Sequence, residues 1–333
     1  MGKLSTENLQ KLLRCVKKDS RVIVPPAPGF DSGVHLIGDQ YLVVSTDPCI
    51  GVPKKWFGWL LIHYAASDVA LFGSRPEFCT INLLGPTRTR PEVFYRVMKQ
   101  TCSAADELQM AIVTGHTGTY EDLSVLTGVC TAYGTVERDR LITPGGAKAE
   151  DIIFCVKPVG LETIVNFALA HAKLASKLFG TRQTENLSAL IHEQSCVKEA
   201  LLIANIRDVH AMHDATEGGL IAAMNEIADA SRVGFEIDFD KIPMPEGMRT
   251  LQKHFRLQDH EALSMSSTGT ILVAASPEAE DSVEDSLRRN NIETTIIGYF
   301  TRNKGRFLTK NSSRKPFPKD ADDPYQRILS GKV

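Results

Sequence analysis

No stretch of this 333-residue sequence reaches the ~20 consecutive apolar residues that a membrane-spanning helix needs, so the sequence argues against a membrane protein. The opening residues, MGKLSTENLQKLLRCVKK, contain no apolar core followed by a small-residue cleavage site. The expectation is a cytoplasmic chain without a membrane partner. A basic excess is missing as well. With 38 Lys and Arg against 40 Asp and Glu, the formal net charge is -2, which argues against a protein that tracks nucleic-acid phosphates.

Cysteine is present without pattern. The seven cysteines stand singly and form no C-x-x-C pair, which fits neither a disulfide framework nor a zinc cage. Several lie in apolar runs such as FCTINLL and DIIFCV, where a free thiol behaves as a small hydrophobe. The common nucleotide signatures are also missing: there is no G-x-x-x-x-G-K-[ST], and no G-x-G-x-x-G between a strand and a helix. A P-loop or Rossmann protein is thereby excluded.

What remains is an ordinary globular composition, 43% hydrophobic and 23% charged, with room for about two domains. The pattern predicts a helix over Glu7 to Lys18, then an irregular Pro- and Gly-rich segment, VPPAPGFDSGV. YLVVSTD, FCTINLL, MAIVTG and VLTGVCTAYGTVE read as strands, with Gly128 and Gly134 suggesting a bulge or close backbone approach. Between them, WFGWLLIHYAASDVALFGS reads as a buried helix and PEVFYRVMKQTCSAADEL as a helix opened by Pro91. A boundary is expected near LITPGGAKAED, giving domains 1-150 and 151-333. In the second half, helices ETIVNFALAHAKLASKLF, SALIHEQSCVKEALLIANI, GGLIAAMNEIADASR and EAEDSVEDSLRRN alternate with strands DIIFCV, GFEIDF, GTILVAA and TTIIGYF. The order indicates a mixed α/β or α+β fold. From Lys310 onward a polar, proline-bearing tail is expected to be loosely held, and SSTGT at Ser266 to Thr270 reads as a turn.

Four aspartates stand where apolar segments end or break: Asp31, Asp47, Asp68 and Asp214. Asp68 is the most informative, because a carboxylate inside an apolar helix is costly unless paired or bound to a cation. Each of the four either caps a turn or helix or serves as a hard oxygen ligand of the kind Mg²⁺ takes alongside phosphate. Gly218 and Gly219 raise a related question, since each costs roughly 1 kcal/mol against alanine inside a helix. With Thr216 as the cap, they would sit in the first helical turn and leave room either for phosphate on the free N–H groups or for close packing of another element.

In this order the motifs resemble the aminoimidazole ribonucleotide synthetase superfamily of ATP-dependent enzymes. FDSGV resembles its early Asp loop, VVSTDP its Thr-Asp strand end, ASDVALFGSRPEF its NDLAMMGARP helix, and HDATEGGLIAAMNEIADAS its RDPTRGGLATTLNEIA segment. VTGHTGT sits where the group has Gly-Gly-Asp-Thr or Gly-Gly-Glu-Thr. Within the superfamily, the hydrogenase-maturation carbamoyl dehydratase branch is nearest in look and the thiamine-monophosphate kinase branch further off. The resemblance implies a two-domain, mixed α+β architecture in which the N-terminal sheet pairs with its copy in a homodimer and ATP with Mg²⁺ lies between the domains. It implies that Asp31, Asp47, Asp68 and Asp214 hold metal and phosphates, that Thr117, Thr216, Gly218 and Gly219 contact the nucleotide, and that Asp68, Asp214 and His116 serve catalysis. The chemistry implied is phosphorylation of an amide, carboxamide or carboxyl-type oxygen, where positioning and charge neutralisation matter more than a covalent protein group.

The sequence departs from those relatives at three places. His116 replaces an acid, which points to an altered metal site, a proton-transfer group, or a hydrogen-bonded strand-end turn. Glu217 stands where the hydrogenase-maturation branch has arginine. The last cysteine is Cys196, so a diffusible small substrate is expected in place of one tethered to a terminal cysteine. Arg88, Arg90, Lys54 and Lys55 are either anion contacts or solvated surface. A small-molecule kinase and a catalytically silent nucleotide-binding assembly protein are the alternatives to an activating synthetase or dehydratase.

Overall fold

The computed structural model describes residues 4, 6–320 and 322–331. Two compact units divide the chain: one is Leu13–Leu141, and the other is Ile142–Val333 with the residues up to Leu12. Helix α1 (Thr6–Leu13) ends before Lys18. Beyond it only the exposed Val16 is available for burial among charged residues, too little to sustain a short helix.

The unit Leu13–Leu141 contains β1 (Val22–Val24), β2 (Ser32–Ile37), β3 (Gln40–Ile50), α2 (Phe57–Leu71), β4 (Phe78–Pro86), α3 (Pro91–Leu108), β5 (Ala111–Tyr120) and β6 (Thr127–Val136). Its strands form one sheet in the order β1-β2-β3-β6-β4-β5. All neighbours are antiparallel except β4 and β5, whose parallel pairing follows from the crossover through α3. The segment expected to be wholly irregular is a loop flanked by two strands, because Ser32 onward pairs with β3. On β6 four of the buried positions are small, Gly128, Cys130, Ala132 and Gly134, which lets α2 lie close: a Cβ on Gly128 would stand 2.9 Å from Leu61. On the other side of α2, a Cβ on Gly58 would stand 2.5 Å from the Val97 carbonyl oxygen of α3. Helix α2 is thus enclosed by the sheet and α3, which accounts for its apolar residues on all sides.

The second unit contains β7 (Ile152–Val156), α4 (Leu161–Ala170), α5 (Ala172–Phe179), α6 (Thr181–Ala189), α7 (Val197–Ile203), β8 (Val209–Ala215), α8 (Gly219–Ser231) and β9 (Gly234–Asp238). It continues with α9 (Glu246–His254), α10 (Asp259–Leu263), β10 (Ser267–Ala275), α11 (Glu280–Arg289), β11 (Thr294–Thr301), β12 (Arg306–Lys310), β13 (Ser313–Pro316) and α12 (Tyr325–Leu329). The sheet order is β13-β12-β9-β11-β7-β10-β8. Strand β10 is buried along its whole length, and Phe154, Leu272, Leu220, Met224 and Phe235 are among the enclosed side chains.

Several sequence expectations change here. The helix expected from Glu162 to Phe179 breaks at His171, whose Nε2 lies 2.8 Å from the Leu329 carbonyl oxygen. The helix expected from Ser188 to Ile206 is three pieces: the end of α6, a 3₁₀ turn over Leu190–Gln194, and α7. Buried Lys157 gives a reason, because its Nζ donates to the carbonyl oxygens of Glu193 at 2.9 Å and Ser195 at 2.6 Å. Those carbonyls are thereby drawn out of helical pairing. The tail is held rather than loose: β13 pairs with β12, Phe317 meets Phe235 with ring centroids 4.8 Å apart, and Ile328 of α12 is fully buried. Among the described residues, no helix is long and apolar enough to cross a membrane.

Candidate functional site

Asp68 is only 8% exposed. Ser45 on β3, also buried, donates its hydroxyl to Asp68 Oδ2 at 2.6 Å, and this charge-assisted bond offsets part of the cost of removing a carboxylate from water. Alternation along β3 puts Asp47 on the same face as Ser45, toward α2. The β2–β3 ladder sets Ser32 opposite Ser45, and Asp31 is the residue just before β2. Asp31 and Asp47 are half-buried. Asp47 of β3 and Asp68 of α2, with the Ser45 hydroxyl, are hard oxygen donors of the kind that suits Mg²⁺ better than a soft transition metal.

His116 and Thr117 are elsewhere in this unit. Both are exposed on the edge strand β5, three strand steps from β3 and hence on the order of 14 Å away across the sheet. His116 lies within the strand rather than in a turn at its end, and its Nε2 is 2.7 Å from the Tyr120 hydroxyl. The strand runs on past MAIVTG because β4 offers it pairing partners as far as Tyr120.

In the second unit Asp214 sits on β8 and is 2% exposed. Beside it, His213 Nε2 is 2.9 Å from Glu226 Oε2 on α8. The loop that follows differs from the expected cap. Helix α8 begins at Gly219 with Gly218 as its N-cap, and the two glycines take φ of 54° and 82°, the left-handed region that glycine adopts without strain. Thr216 does not cap the helix with its side chain; its carbonyl oxygen accepts the Gly219 N–H at 2.9 Å. A Cβ on Gly219 would stand 2.5 Å from the Met265 carbonyl oxygen and 2.7 Å from that of Leu263. Close packing is therefore what Gly219 provides.

A second polar cluster adjoins this loop, and sequence reading missed it. The Gly218 N–H donates to Asp323 Oδ2 at 3.0 Å, and the Ser266 hydroxyl donates to the same oxygen at 2.6 Å. SSTGT is not a free turn but a bulged start of β10: Ser267 pairs with Ala215 while Ile271 pairs with Asp214. The extra residues direct Thr268 to Glu162 on α4, where the Thr268 hydroxyl donates to Oε2 at 2.6 Å. Burial pushes the Glu162 carboxyl up to about 8, against the Thr268 bond that lowers it, and the charges of Glu217 and Asp323 push the same way as burial. The serine- and threonine-rich stretch was the one available signal.

Two family models account for most of the chain: the AIR synthase related protein N-terminal domain matches residues 29–136, and the C-terminal domain matches residues 148–310. The chain belongs to the AIR synthase related family. This AIR synthase related protein is 25% identical over 305 residues to a Methanocaldococcus jannaschii protein named for hydrogenase expression and formation, covering 90% of this chain and 88% of that one. It is 24% identical to the selenide, water dikinase of Carboxydothermus hydrogenoformans, covering 93% and 95%. Among solved structures, Escherichia coli HypE superposes with a TM-score of 0.74 at 22% identity, covering 86% of this chain and 88% of that chain. A HypE solved in complex with ATP gives 0.68 at 19% identity, covering 95% and 91%. The two-domain, mixed α+β architecture is that of the family.

Proposed function

We propose that this AIR synthase related protein is an ATP- and Mg²⁺-dependent enzyme that phosphorylates an amide, carboxamide or carboxyl-type oxygen of a small substrate, releasing ADP and then phosphate as the activated group reacts. The observation that carries the reading is Asp68, a buried carboxylate in an apolar helix, held by Ser45 in a family with an ATP-bound member. In this reading Asp31, Asp47, Asp68 and Asp214 serve metal and phosphates. Thr216 and Gly218 contact the nucleotide, Gly219 supplies the close packing that sets their loop, and His116 and Thr117 act from β5 in proton transfer and phosphate binding. Mg²⁺, when bound, neutralises phosphate charge; the chain's own work is to fix the oxygen ligands and exclude water.

A thermal-shift titration tests it. A non-hydrolysable ATP analogue with Mg²⁺, at about 100-fold its dissociation constant, adds ~2.7 kcal/mol to wild-type stability, and Asp68→Asn abolishes most of that gain. Equal shifts in both proteins would remove Asp68 from the site. The relation to a selenide, water dikinase favours a second reading, a kinase that releases its phosphorylated product. Accumulation of phosphorylated substrate identifies the kinase, whereas inorganic phosphate identifies dehydration or ligation.

The same reading includes a homodimer formed through the sheet of the unit Leu13–Leu141. Its support is strand β5, an edge strand with Val113 57% exposed and Tyr120 45% exposed, a surface that calls for cover.

A further inference from the structure

The loop that the proposed function gives to phosphate already holds a carboxylate of this chain. Asp323 Oδ2 accepts from the Gly218 N–H at 3.0 Å and from the Ser266 hydroxyl at 2.6 Å. Its Oδ1 accepts from the Tyr325 N–H at 2.9 Å and from the Ser266 N–H at 3.4 Å. Gly218 is the N-cap of α8, a helix of 13 residues, so Asp323 sits against the positive end of a full-length helix dipole. One N–H cannot serve this carboxylate and a phosphate oxygen together, and two anions at such a distance repel.

The segment that carries Asp323 is held by side-chain bonds and one apolar anchor. Asn166 Nδ2 donates to the Tyr325 hydroxyl at 2.9 Å, Arg327 pairs with Glu261 at 3.0 Å, and His171 meets the Leu329 carbonyl. Ile328 supplies its buried apolar anchor. Helix α12 has only five residues and no intrinsic stability of its own. Short terminal elements are among those that open locally at less than the cost of unfolding the body they rest on.

We propose that residues 322–331 form an internal strap that competes with nucleotide: Asp323 occupies the Gly218 amide in the closed state, and triphosphate binding displaces it. The proposal rests on the reading of Gly218 as a phosphate contact. The closed strap lowers apparent nucleotide affinity by the fraction of time it is shut, so closure for nine-tenths of the time costs about tenfold in Kd.

The test uses the full chain with a non-hydrolysable ATP analogue and Mg²⁺. Asp323→Asn keeps the side-chain size but loses the negative charge and one acceptor, and calorimetry is expected to show binding about tenfold tighter than wild type. Ser266→Ala, which removes a donor while leaving Asp323 charged, guards against an effect peculiar to the first variant and is expected to shift affinity in the same direction. Hydrogen exchange of wild-type amides from Tyr325 to Gly331 is expected to accelerate when the analogue binds. Tighter binding in the variants together with faster tail exchange supports the strap; unchanged or weaker binding, or tail exchange that stays constant or slows, overturns it. Failure of every form to bind the analogue is a different result, because it overturns the nucleotide reading itself.

Discussion

Glu162 is a carboxyl group whose folded surroundings disfavour its charge. It is 9% exposed, accepts from Thr268, and faces Asp323 and Glu217 nearby. Burial first, and then those negative neighbours, carry its pKa from an ordinary 4.5 up to about 8. Between these values the folded chain keeps a proton that the unfolded chain has released. Stability from this group is therefore complete below about 4.5 and is lost as pH rises toward 8, with a slope of up to about 1.4 kcal/mol per pH unit. Glu162→Gln retains an acceptor for Thr268 and removes the titration. Urea midpoints measured from pH 5 to pH 8 are expected to fall more steeply for wild type than for the variant, and parallel curves would show that the carboxyl is not held protonated.

Helix α8 shows how an element's ends can be set by its neighbours. Gly219 holds a φ of 54° with the carbonyl oxygens of Met265 and Leu263 against its missing side chain. Gly219→Ala combines left-handed strain of roughly 1–2 kcal/mol with overpacking of roughly 1–3 kcal/mol, and the expected loss in chemical denaturation is about 2–5 kcal/mol. Ser231→Ala, at the other end, removes bonds to the Pro144 carbonyl oxygen and from the Ala147 N–H and is expected to cost about 1 kcal/mol. Much of this fold was legible where local rules suffice. Pro91 and the amphipathic stripe after it fix α3 at Pro91–Leu108, and the apolar alternation around Cys130 marks β6. Asp31, Asp47, Asp68 and Asp214 could be picked out as candidates because acids stand out in apolar surroundings. The breaks at His171 and Gln194 were not legible, because the groups that meet the chain there, the Leu329 carbonyl and Lys157, are distant in the sequence. Glu162, Ser266, Thr268 and Asp323 were equally hidden: α4, β10 and the tail bring them together, and no single segment carries the pattern.

At the scale of the whole molecule, the sheet of the unit Leu13–Leu141 is unevenly covered. One face is closed by α2, while the other carries half-buried or exposed residues such as Pro48, Ile50, Val129 and Tyr133. The edge strand β5 is exposed along nearly all its length. An uncovered edge with apolar side chains is a template for pairing with another chain, and large exposed apolar surface marks an interaction site. A second copy of this chain is the partner assigned in the proposed function. Wild-type protein is therefore expected to elute at twice the mass of one chain in light scattering. Val113→Lys with Tyr120→Lys, which places two charges on β5, shifts that population to single chains at micromolar concentration, because burying unpaired ammonium groups in the interface is unfavourable. Unchanged far-ultraviolet circular dichroism would show that the fold survives the pair of substitutions. A wild type that elutes at the mass of one chain would leave β5 a solvated edge and remove the dimer from the proposed function.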